Sequence, residues 1–156
     1  MNKYDLLSNF DIIELCNQMN INLIDCLPKD MLKLKKPVNG GYVINLDNST
    51  SDKGGTHWVS LWIDNNQACY FDPFGTLPPK EIIIFCKNRI FVYSKDQVQN
   101  VDQSCCGYYC IAFLHFMNYK RIKNNLKTSL NLFLKPFNLD DTSKNDNILQ
   151  DYLKNI

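Results

Sequence analysis

Apolar residues recur at helical spacing between Leu6 and Met19, at Leu7, Phe10, Ile13 and Cys16, and Ser8 or Asn9 can cap the helix this predicts. The next stretch, Ile21–Lys36, shows no clear period; Leu27-Pro28 interrupts it, and Lys29, Lys33, Lys35 and Lys36 cluster in its second half. Pro37-Val38-Asn39-Gly40-Gly41 predicts a turn and Tyr42–Leu46 a strand. After a polar loop over Asn48–Gly55, the apolar segments Trp58–Ile63 and Ala68–Phe71 are joined by the turn Asp64–Gln67, which reads as an antiparallel hairpin. Gly75–Pro79 breaks the chain. Lys80–Cys86 predicts a short helix despite its three isoleucines, and Arg89–Tyr93 a further strand extending toward Val98.

Gly107–Asn124 carries the strongest helical signal. It is apolar on nearly every side as far as Met117 and turns polar over Asn118–Lys123. A helix apolar all round belongs in the middle of a domain. Thr128–Phe137 is ambiguous and is closed by Pro136, Asn138–Asn147 reads as a polar linker, and Ile148–Ile156 as a short docking helix. Strands with segregated helices, and no clean βαβ alternation, define an α+β fold. The 156 residues fit one compact domain, 1–156, and 45% hydrophobic with 12% aromatic content is enough to build a core without staples.

A net charge of +1 with 21% charged residues exerts no general pull toward nucleic acid or membrane. Seven cysteines at irregular spacings cannot complete a disulfide framework, so free thiols and a reducing compartment are expected. Met1–Phe10 carries Lys3 and Asp5 and lacks the apolar core of a signal peptide, and the longest apolar runs, Ile82–Phe85 and Ile111–Phe116, are too short to span a bilayer.

The chemistry concentrates in Cys105-Cys106-Gly107-Tyr108-Tyr109-Cys110, which opens the apolar helix. A cysteine at a helix N-terminus meets unpaired amides that favour thiolate over thiol. A neighbouring imidazolium favours it further and later protonates a leaving amine, a carboxylate behind the ring fixes its tautomer, and a side-chain amide can donate to an oxyanion. Cys106, His57, Asp72 and Gln99 supply these four parts. His57 falls at a strand start, Asp72 at a strand end and Cys106 at a helix start. Element ends hold a group more precisely than loops do. Gly107, next to the thiol, lets the helix start approach sheet and substrate closely. Only two histidines, His57 and His115, compete for acid–base work.

These blocks resemble the adenain-type cysteine proteases: the adenovirus maturation protease and its relatives in virophages and Polinton (Maverick) elements, distantly kin to SUMO-specific proteases. Gly54-Gly55-Thr56-His57-Trp58 is similar to the family's histidine motif. Cys69-Tyr70-Phe71-Asp72-Pro73-Phe74-Gly75 is similar to its acidic motif, where adenovirus has Glu. Gln99 stands at the family's oxyanion spacing from Cys106, and Cys106-Gly107-Tyr108-Tyr109-Cys110 resembles its nucleophile helix. The likeness covers roughly Tyr42–Asn118. It implies a papain-like α+β domain, with a mixed central sheet, a buried nucleophile-bearing helix and flanking helices. It also implies catalytic order His, Asp, Cys, and a narrow channel selecting small residues, typically glycine, with Trp58, Gly55 and Gly107 at the substrate.

The implied function is a viral cysteine endopeptidase, of virophage- or Polinton-like origin. It would cleave capsid or other structural precursors at glycine-containing sites during virion maturation, in the virion and the host cytoplasm (the virus factory). It would act as a monomer, with no cofactor, metal or membrane. Adenovirus uses DNA and a peptide as activators; the neutral charge balance here gives DNA no clear basic stripe. Two other functions fit the same residues: an isopeptidase acting on ubiquitin-like tails, and an inactive binding module that kept the fold.

Several neighbours have plainer roles. Cys105 competes with Cys106, but only Cys106 precedes Gly107 and has the family spacing to Gln99. Gln103 would need a tight turn to aim its amide. Cys16, Cys26, Cys69, Cys86 and Cys110 read as buried small hydrophobes, and His115 as a packed histidine. Trp58 serves equally as a core aromatic or as a cleft wall. A zinc site from Cys105, Cys110, His115 and His57 lacks the paired short spacing of structural zinc modules.

Overall fold

The computed structural model describes residues 6–50, 57–100 and 104–156. Helix α1 (Asn9–Gln18) starts at Ser8, whose hydroxyl accepts from the Asp11 amide while the Asp11 carboxylate reaches back to the Ser8 N–H, a reciprocal cap. The face it buries is set by Ile12 and Cys16. The periodicity had placed Phe10 and Ile13 on that face, but Phe10 is 76% exposed.

Strands β1 (Leu23–Pro28), β2 (Gly40–Asn45), β3 (Trp58–Asp64), β4 (Gln67–Phe71) and β5 (Ile90–Tyr93) form one sheet in chain order. The outer pairs are parallel and the inner pairs antiparallel. The expected β3–β4 hairpin is present. Strand β1 falls in the stretch with no clear period, and a short 3-10 turn, Lys29–Leu34, follows it. The register of β1 shifts between Leu23 and Asp25 and it ends on Pro28, so its alternation is broken where a period would have been read. Strand β5 ends at Tyr93 and does not extend to Val98.

The sheet is buried on both sides. Along β3, Trp58 and Trp62 belong to one core cluster, with α1 and the later helices, while Val59, Leu61 and Ile63 belong to the other. The second cluster is closed by Leu32 and by Ile82 and Phe85 of α2 (Lys80–Phe85). Double burial explains why β3 reads as a near-continuous apolar run rather than an alternating one.

Helix α3 (Cys106–Lys120) lies on the first face, its apolar residues packed on the sheet and on helices to either side. Those neighbours are α1, α4 (Leu126–Leu134) and α5 (Asn145–Lys154). Phe71 of β4 stacks on Phe113 of α3, and Phe133 of α4 meets both rings edge-on. Helix α3 begins at Cys106 itself and stops at Lys120, before the polar end of the predicted span. Within the expected polar linker 138–147, a 3-10 turn (Thr142–Lys144) leads into α5, and Asn145 is fully buried. The expected mixed α+β architecture, with a buried helix carrying the candidate nucleophile, is what the structure shows. Among the described residues no helix is long and apolar enough to cross a membrane.

Candidate active site

Three elements converge on Cys106. His57 immediately precedes β3, whose first residue Trp58 pairs with Asn45 at the end of β2. Asp72 immediately follows β4. Since β3 and β4 are antiparallel neighbours, the start of one lies beside the end of the other, and Ser60 opposite Phe71 sets the distance. The result is a contact of 2.7 Å between His57 Nε2 and Asp72 Oδ1. Cys106, the first residue of α3, reaches the same strand end: the Trp58 backbone N–H donates to its sulfur at 3.4 Å.

The Asp72 carboxylate is fully buried and well supplied with donors. Oδ1 also accepts from the Phe74 N–H at 2.8 Å, and Oδ2 accepts from the Thr76 hydroxyl. Burial alone would raise its pKa, but the hydrogen bond and charge of His57, with the Thr76 and Phe74 donors, hold it below the ordinary carboxylate value. The turn that brings Thr76 round closes with the Gly75 N–H donating to the Asp72 carbonyl at 2.9 Å. Gly75 has φ +71°, and a Cβ there would lie 2.5 Å from the Lys95 carbonyl oxygen, so glycine is required. Thr76 escaped the sequence reading, although a hydroxyl four residues beyond a candidate acid is a recognisable partner.

The His57 ring stacks on Phe74, with centroids 4.5 Å apart and planes 15° from parallel. Burial pushes the imidazole pKa down, but hydrogen bonds and charge from Asp72 and Cys106 outweigh it and raise it to about 9. Nδ1 is buried, and no nitrogen or oxygen partner meets it among the described residues. With Nε2 committed to Asp72, Nδ1 is the ring nitrogen left for the sulfur, which lies near enough to influence the ring. The imidazole is thus oriented by a carboxylate, and both Asp72 and the Cys106 sulfur favour its protonated form.

The vicinal cysteines have opposite surroundings. Cys105 is buried and its thiol donates to Asp146 Oδ1 at 3.4 Å; burial first, then the Asp146 charge, drive its pKa upward. Such a sulfur is locked as a donor. Cys106, also buried at 2% exposure, is the one with the imidazole and an amide donor beside it. Burial likewise raises Cys16, Cys26 and Cys86 to about 12 and moves Cys69 and Cys110 upward, as expected of core thiols. All seven cysteines are free. His115 packs between Tyr119 and Tyr152, its Nδ1 2.9 Å from the Tyr152 hydroxyl. Among the described residues no group of three metal-ligating side chains converges.

Gln99 is fully buried beside the acid turn. Its N–H and that of Val98 both donate to the Pro73 carbonyl, at 3.0 and 2.9 Å, and its own carbonyl accepts from the Gln97 side chain. These bonds hold Gln99 by its backbone.

Two of the expected substrate-binding residues have other tasks. Trp58 is 4% exposed and its indole N–H donates to the Leu7 carbonyl at 2.9 Å, so its ring belongs to the core under the site and not to a cleft wall. Gly107 is buried, and an added Cβ would lie 3.1 Å from Leu7 Cδ1, so it allows a close approach to this chain's own N-terminal segment. Gly55 and the competing Gln103 lie outside the described residues.

No family model matches the chain, and no curated protein matches it. Two crystal structures of the ASFV pS273R protease are similar. The selenomethionine form has a TM-score of 0.47 at 18% identity, covering 83% of this chain and 67% of that one. The other has a TM-score of 0.42 at 18% identity, covering 86% and 68%. That likeness is too loose to carry any residue or activity across.

Proposed function

We propose that the protein is a thiol endopeptidase of adenain-like type. What supports this reading is a buried carboxylate 2.7 Å from His57 Nε2, together with a Cys106 sulfur that accepts from the N–H of Trp58, the residue next to His57. Cys106 attacks the scissile carbonyl as a thiolate, with protonated His57 as its counter-charge. Gln99 and the Cys106 N–H donate to the oxyanion. His57 then gives its proton to the leaving amine, and water, deprotonated by His57, hydrolyses the thioester. Asp72 keeps the ring in register and stabilises its charged form.

The finer reading follows the sequence resemblance. The substrates are capsid or other structural precursors of a virophage- or Polinton-like element, cut at glycine-containing sites during virion maturation, in the virion or the host cytoplasm. The enzyme acts as a monomer without metal or cofactor. Among the described residues, Lys29 and Lys35 are paired with Glu81 and Asp25, which weakens the case for a DNA-binding stripe.

Co-expression with a capsid precursor from such an element tests this. The expected result is discrete processing that Cys106→Ala abolishes. Processing at the parental rate by Cys106→Ala would overturn the assignment. Rapid adduct formation with a ubiquitin-like vinyl sulfone, without precursor cleavage, would replace it with the isopeptidase reading.

A further inference from the structure

We propose that Asn145 and Asp146, the first two residues of α5, are positioning residues that set the spacing between the nucleophile and the Gln99 segment. The inference rests on the thiol-endopeptidase reading and extends it to a part of the chain that carries none of the four reacting groups.

The two halves of the proposed oxyanion site come from separate pieces of chain. Cys106 opens α3, while Val98 and Gln99 lie in an irregular segment after β5. That segment hangs from the Pro73 carbonyl by its two N–H groups. Its opposite edge is held from α5: Asn145 Nδ2 donates to the Val98 carbonyl at 2.9 Å. The same amide group donates to the Asn138 carbonyl at 2.8 Å, and Asn145 Oδ1 accepts from the Asn138 N–H at 2.8 Å. Asn145 is fully buried with its donors and its carbonyl engaged, so it has one rotamer available.

The next residue takes hold of α3. Asp146 Oδ1 accepts from the Tyr109 hydroxyl at 2.8 Å and from the Cys105 thiol at 3.4 Å. Cys105 directly precedes the nucleophile, and Tyr109, fully buried, lies one turn into the helix. Consecutive Cα atoms are about 3.8 Å apart, and a helical turn is stiff. The two bonded groups therefore cannot separate unless one side chain lets go. A polar pair at a helix start could serve stability alone, since a carboxylate there also suits the helix dipole. Here both residues point inward onto the flanks of the site.

Misplacement of reacting groups by about 1 Å costs on the order of a hundredfold in rate. Peptide hydrolysis, alkylation of Cys106 by iodoacetamide and thermal unfolding are measured on the full chain. For Asp146→Ala, kcat is expected to fall about 10- to 100-fold with KM within about twofold and a cooperative unfolding transition retained. Asp146→Asn keeps an acceptor oxygen and should recover to within about threefold of the parent. Tyr109→Phe, which removes one of the two bonds and is the milder change, should lower kcat about three- to tenfold and be non-additive with Asp146→Ala.

Unchanged kcat in Asp146→Ala and Tyr109→Phe, no recovery in Asp146→Asn, or losses that merely track the unfolded fraction would overturn the proposal. A parental protein that hydrolyses no peptide, with Cys106 alkylated no faster than the other thiols, would instead overturn the endopeptidase reading and the clamp with it.

Discussion

His57 and Asp72 stand 15 residues apart in sequence and 2.7 Å apart in space, at adjacent ends of two antiparallel strands. Neither side chain reaches across a loop to find the other; the hairpin register delivers both. That register is held by the burial of both faces of the sheet, so the pair is as rigid as the core beneath it.

The first prediction concerns the reacting pair. Cys106→Ala and His57→Ala should each lower kcat/KM by at least about a thousandfold while leaving a folded protein, because the two groups act as a unit. Steady-state hydrolysis of a glycine-containing peptide, with circular dichroism on the same samples, checks this. Cys105→Ala, at the donor-locked neighbour, should retain a Cys106 that iodoacetamide still labels first.

Asp72→Asn should move the alkaline limb of activity. In the parent, His57 keeps its proton until about pH 9, so kcat/KM should fall above that pH. Asparagine removes the charge that holds the proton, leaving burial to push the imidazole downward, and the limb should shift toward neutrality. A pH–rate profile whose alkaline limb is identical in the two proteins would refute this.

Stability should depend on pH through the same ring. The folded-state imidazole pKa of about 9 lies above its ordinary 6.5. The His57 contribution is therefore full below pH 6.5 and is lost as pH rises through 9. Asp72 runs the other way: its depressed pKa contributes above the ordinary 3.8 and is lost as pH falls below it. Urea midpoints of the parent and His57→Gln should therefore converge with rising pH across the neutral-to-alkaline window. A gap that stays constant there would contradict the assignment.

Thr76→Val removes the donor to Asp72 Oδ2 and leaves a buried carboxylate oxygen short of a partner. A cost of about 1.5–3 kcal/mol is expected, with a rise in the Asp72 pKa. Chemical denaturation measures the first, and the acid limb of the stability profile the second.

The two site glycines should respond differently to alanine. Gly75→Ala meets a positive φ and a carbonyl oxygen 2.5 Å from the new Cβ, with backbone that cannot yield, and should destabilise by more than about 1–2 kcal/mol. Gly107→Ala meets Leu7 at Cδ1 (3.1 Å) and at Cβ (3.3 Å) but keeps an ordinary helical φ and gains helix propensity, so it should destabilise by less than Gly75→Ala. Thermal melts of the two variants decide between this and a general intolerance.

Much of this was legible in the chain. The hairpin, the all-round apolar helix and the element ends carrying His57, Asp72 and Cys106 follow from local pattern, since burial on both faces leaves an unbroken apolar signature. Strand β1 was hidden by its bulge and terminal proline, and its partner β2 identifies it only in three dimensions. Trp58 bonds to the Leu7 carbonyl and Gly107 packs on the Leu7 side chain, contacts that local pattern does not show because Leu7 is distant in sequence. Asn145 read as linker because polarity stood in for exposure, whereas its amide is sealed inside by backbone partners.

Because the strands line up in chain order, each meets a neighbour already in place as synthesis proceeds. Helix α5 is the last described element to emerge. On the clamp assigned to its first two residues, a ribosome-bound chain ending short of Asn145 carries its thiol and its Gln99 segment unbraced. On that reading the proposed activity would reach its full rate only once the last described helix has been made.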